Sequence, residues 1–282
     1  MTRLLLMEGN PAKLRERAIE RGLRTLSGIY AEAIHAHFPD IDIDIVHAAD
    51  PDPIIPAGRS FADYDGFVAS GSSLHAYDQQ PAVTAQIDMM KAAAEAGLPI
   101  LGSCWGLQIA AVAGGGEVRY NPKGREVGVA RKIAPTEAGR THPMLATRPA
   151  AYDAPCIHYD EVMRLPEGAT LLASNEHSAI QAAVIPLGNS EVWAVQYHPE
   201  FDLAHMAMLY TLYADEMVGQ GFFADRADLD SYAADVKALA ESPADHARRW
   251  RLGIDDDILD DATRRTEIIA WIEAKVLNQA SA

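Results

Sequence analysis

Short apolar runs alternate, over the first hundred residues, with segments whose apolar residues recur at helical spacing, and that alternation restricts the fold more than any other feature. Arg3-Leu4-Leu5-Leu6-Met7-Glu8 holds an uninterrupted apolar run, as a parallel strand buried on both faces requires. A polar, arginine-rich loop is expected next, and then Leu26, Ile29, Tyr30, Ala33 and Ile34 trace one face of a helix. Ile41 to His47 alternates apolar and acidic residues, which predicts a more exposed strand. A strand over Gly66 to Ala69, a helix over Ala82 to Ala96 and a strand over Leu98 to Leu101 continue the order. Such β/α alternation predicts an α/β fold with a doubly wound, mostly parallel sheet, helices on both faces and a site at the carboxyl ends of the strands.

The pattern changes after residue 117. Val127 to Ile133, Thr170 to Ala173 and Ile180 to Val184 are short β-like runs among frequent Gly and Pro, so antiparallel additions to the sheet are expected there. Leu203, Met206, Leu209, Tyr210, Tyr213 and Met217 mark a closing helix, and Gly114-Gly115-Gly116 reads as a helix C-cap rather than a phosphate loop. The expected division is a domain over 1–218 and a helical C-terminal extension over 219–282. In that extension Leu229, Tyr232, Val236 and Leu239 fit one amphipathic helix, and Ile258, Ala262, Ile269, Ile272 and Val276 another. Their apolar stripes need burial, against the chain's own domain in the simplest case, otherwise in a homo-oligomer or a partner.

Chemistry enters where the strand Pro99-Ile100-Leu101 runs into Gly102-Ser103-Cys104-Trp105-Gly106-Leu107-Gln108. A Gly-x-Cys-x-Gly turn between strand and helix is a nucleophile elbow: the glycines remove clashing Cβ atoms, and the helix start offers N–H groups that favour a thiolate. A buried structural cysteine would fit the same five residues, so partners decide. They occur in Gln196-Tyr197-His198-Pro199-Glu200, after a second apolar run. If that segment is extended, His198 and Glu200 share a face, placing a general base beside a carboxylate that orients it.

These motifs resemble those of the class I (triad-type) glutamine amidotransferases. Gly66-Phe67-Val68-Ala69-Ser70-Gly71-Ser72-Ser73 is similar to the family's oxyanion loop, with Gly71-Ser72-Ser73 where Gly-Gly-Pro or Asn-Gly-Pro is usual. The resemblance spans about residues 1 to 218 and implies the flavodoxin-like fold of that family. It implies Cys104, His198 and Glu200 as the catalytic triad, with Ser72 N–H and Trp105 N–H, beside Gly71, forming the oxyanion hole. Gln108, and with them His158 and Asp160 of Cys156-Ile157-His158-Tyr159-Asp160, match substrate-binding positions; Cys156 reads as structural. The implied reaction is hydrolysis of the γ-amide of glutamine through a γ-glutamyl thioester on Cys104, releasing ammonia and glutamate.

Composition narrows the classes. A formal charge of −16 argues against nucleic acid, and the arginines at 15, 17, 21 and 24 stand among acids. No run of 18 apolar residues and no leader-like start suggests a membrane span or export, and two cysteines suggest a reducing, cytoplasmic setting. His35 and His37 lack the spacing of metal ligands, so neither a metal nor another cofactor is expected. Three functions remain open. The chain is a glutamine amidotransferase or glutaminase feeding ammonia to a synthetase partner, a hydrolase of γ-glutamyl amides or γ-glutamyl peptides in amine catabolism, or a non-catalytic regulatory module.

Overall fold

The computed structural model describes residues 1–51, 55–56 and 58–278. Five parallel strands form the heart of the sheet: β1 (Arg3–Met7), β2 (Asp42–Val46), β3 (Gly66–Ala69), β4 (Ile100–Ser103) and, far along the chain, the strand Ser190–Val195. Between β4 and that last strand the chain adds β5 (Glu117–Tyr120), β6 (Glu126–Pro135), β7 (Tyr152–His158), β8 (Asp160–Arg164), β9 (Thr170–Ser174) and β10 (Ala182–Leu187), so Ser190–Val195 is β11. The order across the sheet is β2-β1-β3-β4-β11-β10-β9-β6-β7, with β5 and β8 paired apart from it. The strands from β2 to β11 are parallel, and those beyond are antiparallel. This is the expected parallel sheet with antiparallel additions. Leu101 of β4 stands opposite Val68 of β3 and Trp193 of β11, so the strands that lead to the two sequence motifs are neighbours.

The helices cover both faces because strand side chains alternate. Before β3 run α1 (Ala12–Glu20) and α2 (Leu26–His35); α3 (Pro81–Glu95) and α4 (Trp105–Ala113) flank β4. Leu5, Met7, Phe67, Ile100 and Val192 pack with Val83, Met90 and Trp105 from α3 and α4. Leu4, Leu6, Val68, Leu101 and Trp193 point the other way, against Tyr30, Ala33 and Ile34 of α2. Ile268, Trp271, Ile272 and Val276, near the C-terminus, belong to that same cluster. The last apolar stripe is thus buried on the chain's own sheet. Gly66 has no room for a side chain, since a Cβ would lie 2.8 Å from the Trp271 ring.

Three local expectations need correction. The arginine-rich segment is not a loop but helix α1, which buries no residue and so leaves no apolar stripe in the sequence. The closing helix breaks at Tyr213 (φ −105°, ψ 24°); after a single turn, α5 (Glu137–Thr141), it comes as α6 (Leu203–Leu212) and α7 (Ala214–Gly219). Beyond it, α8 (Arg226–Glu241) carries the first stripe as expected, packing on α6 through Leu229, Val236 and Leu239. The second stripe is split into Asp256–Leu259, Asp261–Arg264, Thr266–Trp271 and a π-helical turn over Ile272–Leu277. Asp260 leaves helical geometry (ψ 122°) and caps the next turn by accepting from Thr263 N–H at 2.8 Å, the local alternative that makes Asp a poor helix-interior residue. The glycine run after α4 does act as its cap: Gly115 has φ +89°, and Gly116 N–H donates to Ala111 O at 2.7 Å.

Candidate active site

Cys104 occupies the step from β4 into α4 with φ 51° and ψ −96°, a region that costs a non-glycine residue about 1–3 kcal/mol and is found where the surroundings enforce it. The enforcement is visible. Cβ atoms at Gly102 and Gly106 would lie 2.8 Å from the Gly106 carbonyl carbon and 2.7 Å from Ala69 O, so only glycines let β3, β4 and α4 approach this closely. Cys104 N–H donates to Val195 O at 2.7 Å, tying the elbow to the end of β11. Its thiol is 3.8 Å from Ile157 O and faces a cavity of about 340 Å³.

His198 and Glu200 meet as foreseen, but not on an extended strand. β11 ends at Val195, and His198-Pro199-Glu200 form a turn closed by Phe201 N–H donating to His198 O at 3.1 Å. Within the turn His198 Nδ1 is 2.7 Å from Glu200 Oε1, and Ser103 Oγ donates to that same oxygen at 3.1 Å. The imidazole stacks on Phe201 with ring centres 4.0 Å apart. Burial alone would lower the His198 pKa; the charges of Glu200 and Cys104 outweigh it and push it up to about 10. The ring beside the sulfur therefore carries a proton at neutral pH, the state that can protonate a departing amine.

Gly71 and Ser72 follow β3 and border this pair. Gly71 is needed for space: a Cβ there would sit 2.8 Å from His198 Cε1. Ser72 does not require a glycine conformation, because Cys104 and Lys132 are the non-glycine residues of positive φ among those described. Asn10 Oδ1 accepts from Ser73 N–H at 3.0 Å, while Ser72 N–H and Trp105 N–H make no hydrogen bond to any described residue. Trp105 N–H belongs to the first helical turn, where no carbonyl one turn back exists to accept it. The Trp105 indole donates to Gln86 Oε1 (2.8 Å) and Gln86 Nε2 to Gly9 O (3.1 Å), fastening the elbow to the loop after β1.

The three remaining predicted residues are present but committed to the protein. Gln108 Nε2 donates to Asp160 O at 3.0 Å. His158 lies 2.9 Å from both Asp160 O and Glu126 Oε2. Asp160 holds His75 Nδ1 at 2.6 Å. All three line the cavity. Sequence reasoning missed Glu8, Arg125 and His205, which line it too. Glu8, fully buried, accepts from Ser27 N–H at 2.7 Å; a carboxylate at the carboxyl end of the first parallel strand was its available signal. His205, 2% exposed, has no partner for either ring nitrogen among the described residues, and burial, with Arg24 beside it, pulls its pKa down to about 3.

The model of the family described as glutamine amidotransferase class-I matches residues 30–211. A gamma-glutamyl-L-1-hydroxyisopropylamide hydrolase of a Pseudomonas species is 34% identical over 248 residues, which span 85% of this chain and 81% of that protein. The glutamine-hydrolysing GMP synthase of Symbiobacterium thermophilum is 35% identical over 106 residues, only 20% of its own length. Among solved structures, a glutamine amidotransferase from Thermotoga maritima superposes with a TM-score of 0.67 over 97% of this chain and 99% of that one, at 17% identity.

Proposed function

The chain belongs to the glutamine amidotransferase class-I family, and from that premise we propose that it is a hydrolase of γ-glutamyl amides whose nucleophile is Cys104. The sulfur attacks the γ-carbonyl carbon, and the oxyanion that forms is held by the N–H groups of Ser72 and Trp105. His198 passes its proton to the amide nitrogen as the C–N bond breaks, so an amine departs and a γ-glutamyl thioester remains. Water then attacks the thioester, His198 takes its proton, glutamate is released as the C–S bond breaks, and the Cys104–His198 pair returns to its starting state. Glu200 keeps the ring oriented and balances its charge.

One observation favours an alkylamine over ammonia as the leaving group. The leaving nitrogen must lie beside its proton donor, and the wall beside His198 is mostly apolar: Phe201 stacks on the ring and packs with Leu23, Ile29, Met206 and Leu209, backed by Ala18 and Leu26, with His205 as its polar member. A wall of that kind stabilises carbon on the leaving nitrogen and does nothing for ammonia. The relation to a hydrolase of such an amide supports the same reading.

The test is a panel of glutamine, γ-glutamylethylamide and γ-glutamylisopropylamide with the wild type and Cys104→Ala. The expected result is a kcat/KM for the alkylamides about 10- to 200-fold above that for glutamine, the range a methylene or two commands in an apolar pocket, and no turnover by the variant. Preference for glutamine would instead favour an amidotransferase serving a synthetase, and equal rates in both proteins would remove Cys104 from the mechanism.

A further inference from the structure

Arg125 is the outlying charge of the cavity. The residue is only 5% exposed, it lines the cavity, and its Nε and Nη1 are enclosed without a hydrogen-bond partner among the described residues. The cavity's other arginines differ: Arg15 is paired with Asp50 at 2.7 Å, Arg24 with Asp202 at 2.9 Å, and Arg17 is exposed to solvent. In a chain with 40 acidic and 24 basic side chains, a buried arginine lacking a carboxylate is not for want of carboxylates. The acid next in sequence, Glu126, is consumed elsewhere by His158, Asn175 and Gln181. Glu216 lines the cavity but stays exposed and makes no hydrogen bond to Arg125.

Two aromatic rings hold the guanidinium instead. It lies 3.7 Å from the centre of the Tyr159 ring and 5.1 Å from that of Tyr213. Such contacts attract a cation but leave its in-plane N–H groups unsatisfied, and burying them costs free energy that only an acceptor recovers. Burial pulls the Arg125 pKa down, and the rings together with Glu216 do not make up the difference. The break between α6 and α7 at Tyr213 is part of this seat, since Tyr213 leaves the helix there.

We propose that Arg125 is the substrate-binding residue that receives a carboxylate in this cavity, its planar fork clamped between Tyr159 and Tyr213. The inference rests on the γ-glutamyl amide reading above. Arginine is suited to the task because its fork matches a carboxylate with two parallel hydrogen bonds, and the fixed rings remove the cost of ordering it. A γ-glutamyl amide offers this chemistry in two places: the α-carboxylate of the glutamyl group, and a carboxylate on the leaving amine when that amine is an amino acid.

Steady-state kinetics of the wild type, Arg125→Gln and Arg125→Lys separate them, using γ-glutamylethylamide, γ-glutamylglycine and the N-ethylamide of 4-aminobutanoate, which lacks the α-carboxylate. A KM raised at least tenfold in Arg125→Gln for both γ-glutamyl substrates, with kcat within about threefold and a smaller rise in Arg125→Lys, assigns the α-carboxylate. A rise confined to γ-glutamylglycine assigns the leaving-group carboxylate. KM values within about twofold for every substrate would overturn the proposal. Should the wild type hydrolyse none of these amides, the functional reading fails separately, and calorimetric binding of L-glutamate still tests Arg125: weaker binding by either variant supports it, and equal binding overturns it. Arg125→Lys keeps the cation, so it serves both experiments if Arg125→Gln does not fold.

Discussion

Gly71 controls the candidate site through the side chain it lacks. Its backbone lies so near the imidazole that a Cβ would come within 2.8 Å of His198 Cε1. Gly71→Ala must therefore displace the ring or the oxyanion loop, and a displacement near 1 Å costs roughly a hundredfold in rate. We expect kcat to fall by about that factor with the melting temperature little changed; unaltered kcat would show that the ring tolerates the shift. Residues of this kind were legible because the glycines at 71, 102 and 106 stand at fixed offsets in recognisable turns. Arg125 and His205 were not. One arginine among 24 basic residues carries no mark of being unpaired, since pairing depends on which acids fold toward it.

At the level of elements, the C-terminal helix Thr266–Trp271 is joined to the segment that leads from β11 into the His198 turn by buried charge. Glu267 takes two hydrogen bonds of 2.8 Å from Arg148 and another of 2.8 Å from Tyr197, the residue before His198. Arg148 and Glu267 side chains are 1% and 0% exposed, so removing one partner strands the other in the interior. Glu267→Ala is expected to lower stability by about 3–5 kcal/mol in urea unfolding, and a loss below 1 kcal/mol would refute this coupling. Element type was readable wherever an element buries a stripe, as α2, α3 and α8 do. It failed for α1, which buries nothing, and for the helices after Asp256, where aspartate caps interrupt an apolar period that continues across them.

Two buried histidines give the whole molecule opposing pH responses. His198, with its pKa raised from the ordinary 6.5 to about 10, contributes stability that is complete below 6.5 and is lost as pH rises through 10. His205, lowered from 6.5 to about 3, works the other way: between those values the unfolded chain binds a proton that the folded chain does not, so stability falls as pH drops below 6.5. His205→Phe should flatten the acid side of the stability curve between pH 6.5 and 5 by up to about 1.4 kcal/mol per pH unit, as read by urea midpoints; an unchanged slope would mean that His205 titrates alike in both states. No helix among the described residues is long and apolar enough to cross a membrane.

The sequence by itself determined the alternation of strands and helices, the parallel sheet, the elbow bearing Cys104 and the pairing of His198 with Glu200 after the last strand, because buried strands, elbows and caps are written in local residue types and spacings. The tertiary structure alone decided that the C-terminal stripe lies on the first strands, that Phe201 and Leu23 wall the space beside His198, and that Arg125 meets two tyrosines and no acid. Those are contacts between residues distant in the chain, fixed by how the elements pack.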